Sequence, residues 1–304
     1  PLDGSGGLLP RPHTGCSGLV ADGTLSVDNT ISPPVTMMVT PRVQSVVRDL
    51  FGCSTLSGAN LENQLPSSKG TPVCYSSHWE QRLFPTELMA STERAFSVKS
   101  ALTLAALEDS GWYTANYDVA EPLLFGRGQG CAWATEPCIT AAGVKSGFCD
   151  SGYIKHACTG DRRAVGGCRT VTWPVDNAGQ SVIPDVFQYF AARSRVGGHI
   201  AQADYCPLID VYDSELHWRC DDTSRQATPD GKYYAESFGD DSRCFESTLH
   251  QRVAGALAAD YRQRWPAGCH KSRCIGGILE LQVVLADGRK LWLSCPYPGA
   301  ELTV

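Results

Sequence analysis

The 304-residue chain has no stretch approaching 18 consecutive apolar residues, so nothing in it reads as a membrane-spanning helix. It carries little charge, 19% of residues with a formal net charge of −6, and no run rich in Lys and Arg. A nucleic-acid partner, which needs a clustered basic face, is therefore not expected. There is no Gly-x-Ser-x-Gly, which removes the support for a serine nucleophile elbow, and no His-Glu-x-x-His in either direction. No Asn-x-Ser/Thr acceptor for N-glycosylation occurs; Asn29 is followed by Thr30 and Ile31. No internal repeat is visible. The chain opens on Pro1 without a charged and apolar leader pattern, so it reads as a processed or truncated piece. Its 42% hydrophobic content excludes a disordered polymer and leaves one large or two moderate domains.

Cysteine is what the chain has in abundance. The 14 residues are scattered, mostly beside Gly, Pro and Ser rather than in Cys-x-x-Cys pairs. An even, scattered set predicts a disulfide framework made in an oxidising compartment, hence an extracellular or cell-surface location. Cys269-His270 with Cys274 makes only half of a metal cluster, and disulfide pairing is the preferred reading there. Gly126-Arg127-Gly128-Gln129-Gly130 resembles a phosphate loop only superficially, and a turn is preferred. Asp221-Asp222 and Asp240-Asp241 read as solvated surface.

Residues 1–36, rich in Gly, Ser and Pro, read as loop. A helix is predicted from Pro41, with Val43, Val46, Val47, Leu50 and Phe51 on one face and Gly52 as its stop. A second is predicted over 97–110, capped by Ser97, with Ala101, Leu104, Ala105 and Leu107 on its core face and Gly111 closing it. A short amphipathic helix is expected at Leu249, Val253, Ala256, Leu257 and Tyr261. Leu279, Leu281, Val283 and Leu285 alternate into Asp287-Gly288 and back through Leu291 and Leu293, a hairpin pattern. The texture becomes loop-rich and cysteine-rich from about 121, placing a domain boundary near 130.

His78, taken by itself, is one loop histidine, either a surface residue or a metal ligand. Its surroundings give it context. The run from Tyr75 to Ser91, YSSHWEQRLFPTELMAS, resembles leishmanolysin, a zinc metalloprotease family of the metzincin group. Further segments follow in the family's order: FGCSTLSGANLENQ (51–64), SALTLAALEDSGWYTANY (100–117), LLFGRGQGCAWATEPC (123–138), VFQYF (186–190), ADYCPLIDVY (203–212), DDSRCFES (240–247) and LWLSCPYP (291–298).

The resemblance implies an α+β chain: the C-terminal part of a zincin catalytic unit over 1–130, then a disulfide-rich, strand-and-loop domain over 131–304. It implies a metalloendopeptidase that hydrolyses peptide bonds through a zinc-activated water, with His78 as third zinc ligand and Met89 as the methionine of the following turn. Whether as floor beneath a metal or as an ordinary core residue, Met89 is expected to be buried. The family's His-Glu-x-x-His is missing, so two zinc ligands and the general-base glutamate are absent, no catalytic residue is assigned, and this chain alone is expected to be inactive. The expected partners are protein or peptide substrates, including host surface or extracellular proteins, with membrane attachment by a lipid anchor not present in this sequence. The alternative is a catalytically dead, disulfide-rich adhesion protein.

Overall fold

The structure is a computed structural model that describes residues 23–28, 35–64, 74–92, 96–150, 157–190, 192–211, 219–224, 235–246, 267–285 and 287–297. The helix expected at 249–261 lies outside the described residues.

The first sheet is an antiparallel meander of β1 (Leu25–Asp28), β2 (Val35–Met38), β3 (Ala59–Gln64) and β4 (Cys74–Trp79). Helix α1 (Pro41–Phe51) connects β2 to β3. It begins on Pro41, whose fixed φ suits the first turn, and ends at Gly52, whose φ of 67° is the left-handed conformation a side chain resists. Val43, Val47, Leu50 and Phe51 form its buried face.

Helix α2 (Ala101–Asp109) starts three residues later than the pattern suggested. Ser100, not Ser97, caps it, its hydroxyl accepting from the Leu102 amide. Val98 is held extended instead, donating to the Thr86 carbonyl and accepting from Leu88, which keeps 97–99 out of the helix. Its buried residues are Leu102 and Ala105, while Leu107 is exposed. The helix is apolar around most of its circumference, so the pattern could not choose a face. Gly111 closes it as expected, with φ of 75°. Asp109 reaches across to accept from the Arg42 and Val43 amides at the start of α1. Burial pushes this carboxyl up, but the hydrogen bonds from Arg42 and Val43 outweigh that and hold it below the ordinary range.

The Gly126–Gly130 run is a turn, and it serves α1: the Gly128 and Gly130 amides donate to the Leu50 and Phe51 carbonyls that the helix leaves unpaired. A Cβ on Gly126 would lie 2.3 Å from the Trp133 ring, so glycine is required there. The five-residue helix α3 (Cys131–Thr135) follows, tied back by the Cys53–Cys131 disulfide.

The remaining sheets are small. β5 (Ile139–Thr140) pairs with β6 (Gly143–Val144), and β7 (Ala157–Cys158) with β8 (Val165–Cys168). β9 (Thr170–Thr172) pairs with β10 (Val196–Gly198), and β11 (Ile209–Asp210) joins β8. The last sheet orders β12 (Ser242–Glu246), β13 (Ala267–Ile275), β14 (Ile278–Val284) and β15 (Lys290–Cys295). The predicted hairpin is its β14–β15 pair, with Leu281 opposite Leu293 and Val283 opposite Leu291.

One hydrophobic cluster dominates. It joins Phe51, Trp79, Phe84 and Leu102 to Phe125, Trp133, Phe148, Cys206 and Leu208. Phe51 and Trp133 have ring centroids 5.4 Å apart, and Phe125, Trp133 and Phe148 form a mutual triad. This cluster draws core side chains from both sides of residue 130 in the sequence. A second cluster surrounds the Cys158–Cys244 and Cys220–Cys269 disulfides. Cys138–Cys206 and Cys149–Cys168 complete the five described bridges. Cys269 is thus a disulfide partner, as preferred, but Cys274 is not. It sits opposite Leu279, which sits opposite Cys295, so the two free thiols flank a leucine instead of facing each other.

Candidate metal-ligand site

His78 is the next-to-last residue of β4. The ladder with β3 is irregular at this point. Leu61 pairs with Trp79 and Asn63 with Tyr75, so Glu62 alone on β3 faces Ser76, Ser77 and His78 on β4. Such a bulge bends the strand and re-aims side chains. Here it brings His78 Nδ1 to 2.7 Å from Glu62 Oε2. The imidazole is 38% exposed and the carboxylate 10%.

Beyond His78, the chain folds back on itself through a turn that carries Met89. The Trp79 amide donates to the Met89 carbonyl at 3.0 Å, and Trp79 bridges Ala90 in parallel. Glu87, 1% exposed, organises the turn from within. One of its oxygens accepts from the Met89 amide at 2.5 Å, and the other from the Ser100 and Thr103 hydroxyls at 2.8 and 2.7 Å. Thr103 also accepts from the Trp79 indole N–H at 2.9 Å. The strand end that bears His78, the turn and the start of α2 are therefore one hydrogen-bonded unit.

The segment between the two is buried despite its polarity. Gln81 binds the turn through Ser91 and Thr92. Arg82 pairs with Asp204 at 3.2 Å and donates to the Ala134 and Glu136 carbonyls, fastening the site to the later half of the chain. Met89 departs from expectation: its side chain is 42% exposed, because the turn is held through its backbone and no described element covers the thioether. Leu88, Trp112 and Tyr113 are also exposed.

His78 and Met89 are thus brought into one unit. Among the described residues no three His, Cys, Asp or Glu side chains gather as a metal-holding group. As a donor His78 fits zinc, because one ring nitrogen is engaged by a carboxylate and Nε2 remains. His270 does not join it. It is 2% exposed in the last sheet, and burial pulls its pKa down to about 4 against the rise from its Nδ1–H bond to the Gln282 carbonyl. Sequence reasoning missed Glu62 and Glu87; Glu87 is a lone charge in the largely apolar run 83–90, while Glu62, set among Asn60, Asn63 and Gln64, carries no such signal.

Mixed helices and strands and five described disulfides define a disulfide-rich α+β protein. The chain belongs to the leishmanolysin family, whose sequence profile matches residues 24–304. It is similar to the leishmanolysin-like peptidase of Drosophila melanogaster, 33% identical over 90% of this chain and 41% of that protein. Similarity extends to the leishmanolysin-like peptidase of Caenorhabditis elegans, 33% identical over 81% of this chain and 40% of the relative. It extends also to the leishmanolysin of Leishmania major, 27% identical over 70% and 33%. The chain spans about two fifths of the length of the first of these relatives.

Proposed function

We propose that the chain is part of a zinc metalloendopeptidase of this family, with His78 as the third zinc ligand and Met89 as the methionine of the turn behind it. On this reading, residues 1–130 are the later part of a zincin catalytic unit and 131–304 its cysteine-rich companion. The observation that carries it is the joining of His78 to the Met89 turn through Trp79, eleven positions apart in sequence. When bound, zinc supplies the Lewis acidity that activates water against a peptide carbonyl. The chain's own part is to present one imidazole, hold it by Glu62, and fix the turn through Glu87. Two further ligands and the carboxylate that takes the proton from water would come from a His-Glu-x-x-His outside these 304 residues. The substrates are peptides or proteins met outside the cell or at its surface, where the five disulfides are stable, with a lipid anchor as the means of membrane attachment.

The test is the full-length open reading frame that contains this chain. His78→Ala in that protein should abolish zinc retention and casein cleavage; unchanged activity shows the ligand is misassigned. A frame without His-Glu-x-x-His removes the peptidase reading. It leaves the second one, a disulfide-rich adhesion protein, whose motive is the His-Glu-x-x-His missing from these 304 residues. Binding of extracellular proteins without zinc would establish it.

A further inference from the structure

We propose that Glu62 is the positioning residue of His78, fixing which ring nitrogen is free to bind metal. This rests on the reading of His78 as a ligand. The bulge places no residue other than Glu62 on β3 opposite Ser76–His78, so the irregular register serves one contact, Glu62 Oε2 to His78 Nδ1 at 2.7 Å. A carboxylate can only accept, so Nδ1 carries the hydrogen and Nε2 keeps its lone pair. A histidine without such a partner favours the opposite tautomer, with the hydrogen on Nε2, and must move it before it can ligate through that nitrogen. The carboxylate is mostly buried while the ring is over a third exposed, so the held partner is the acid and the presented one is the imidazole. Glu62 lies 16 positions before His78 and touches no metal in this role; it acts through the ring alone.

Two measurements separate this proposal from the peptidase reading. The first uses the 304-residue chain with ¹⁵N-labelled histidine, without metal, at pH 8.5. Long-range ¹⁵N–¹H correlations should show His78 with hydrogen on Nδ1 in the wild type and predominantly on Nε2 in Glu62→Ala. Glu62→Gln, which keeps an acceptor oxygen of the same reach, should retain the wild-type tautomer. A wild-type ring protonated on Nε2 overturns the proposal by itself, whether or not a variant folds. The second uses the full-length protein and follows zinc loss to a chelator. Glu62→Ala should weaken zinc binding by about 10- to 100-fold, as outer carboxylates of zinc histidines do. Unchanged zinc release with an unchanged amide spectrum also overturns it. If His78→Ala leaves zinc bound while the tautomer result stands, the ligand assignment fails and the Glu62–His78 coupling does not.

Discussion

Replacing Phe51 by alanine tests whether the chain folds as one unit across residue 130. Phe51 is 1% exposed at the end of α1, with ring centroids 5.8 Å from Phe84 and 5.4 Å from Trp133. Truncating a fully buried phenylalanine loses its transfer free energy and leaves a cavity, together about 3–5 kcal/mol. Each aromatic pairing adds about 0.5–1.5 kcal/mol beyond area. Because Trp133 lies on the other side of 130, a cycle of Phe51→Ala, Trp133→Leu and the double variant should show a coupling of about 1 kcal/mol. Urea unfolding with disulfides intact, followed by tryptophan fluorescence and by far-UV circular dichroism, is the assay. The expected result is one transition, coincident by both probes, displaced as a whole by Phe51→Ala. Two separated transitions of which only one moves, or strictly additive losses, would refute the shared core and make residue 130 a true domain boundary.

Other expectations follow from single contacts. His270 has its pKa lowered from 6.5 to about 4 by burial, so the unfolded chain binds the extra proton between those values. Its stabilising contribution is complete above pH 6.5 and is lost as pH falls toward 4, by roughly 3 kcal/mol. His270→Leu should remove that acid sensitivity in urea titrations, and a constant difference from wild type between pH 7.5 and 4 would contradict it. Breaking Cys53–Cys131 by a double serine substitution opens a loop with a sequence separation of 78 and should cost about 4 kcal/mol on the chain-entropy view. An unaltered melting temperature would show that the turn at Gly126–Gly130 suffices without it. Glu87→Gln puts an amide donor among four donors and should cost about 2 kcal/mol in denaturant unfolding. A neutral result would mean that the Trp79, Gln81 and Val98 contacts hold the turn without it.

What could be read from the sequence was what local rules determine. Helix α1 announced itself because Pro41, the apolar spacing and Gly52 all point to one answer. The β14–β15 hairpin did so through alternation and Asp287-Gly288. The preceding β13–β14 turn, at Gly276-Gly277 with φ of 57° and 82°, bears an equally clear mark in its paired glycines. The start of α2 was not legible, because it depends on Val98 pairing with Thr86 and Leu88. Glu80-Gln81-Arg82 looks like a solvated run and is buried, since its partners Ser91, Thr92 and Asp204 come from elsewhere in the chain. At the site, His78 and Met89 were named by resemblance. Glu62 could not be found that way, because its contact depends on a register slip that periodicity does not encode.

The order of the disulfides along the chain has a consequence for how the molecule is made. Each of the five passes over at least one intervening cysteine: Cys53–Cys131 skips Cys74, Cys149–Cys168 skips Cys158, and Cys220–Cys269 skips Cys244. Cys158–Cys244 and Cys220–Cys269 also interlock, each beginning before the other ends. A chain oxidised residue by residue as it emerged during synthesis would join each of these cysteines to the wrong neighbour. Native pairing therefore needs either folding ahead of oxidation or wrong bonds broken and remade by attack of a free thiolate, the reaction a disulfide isomerase catalyses. An oxidising host that also supplies this shuffling activity should yield more native protein than one that supplies the oxidant alone.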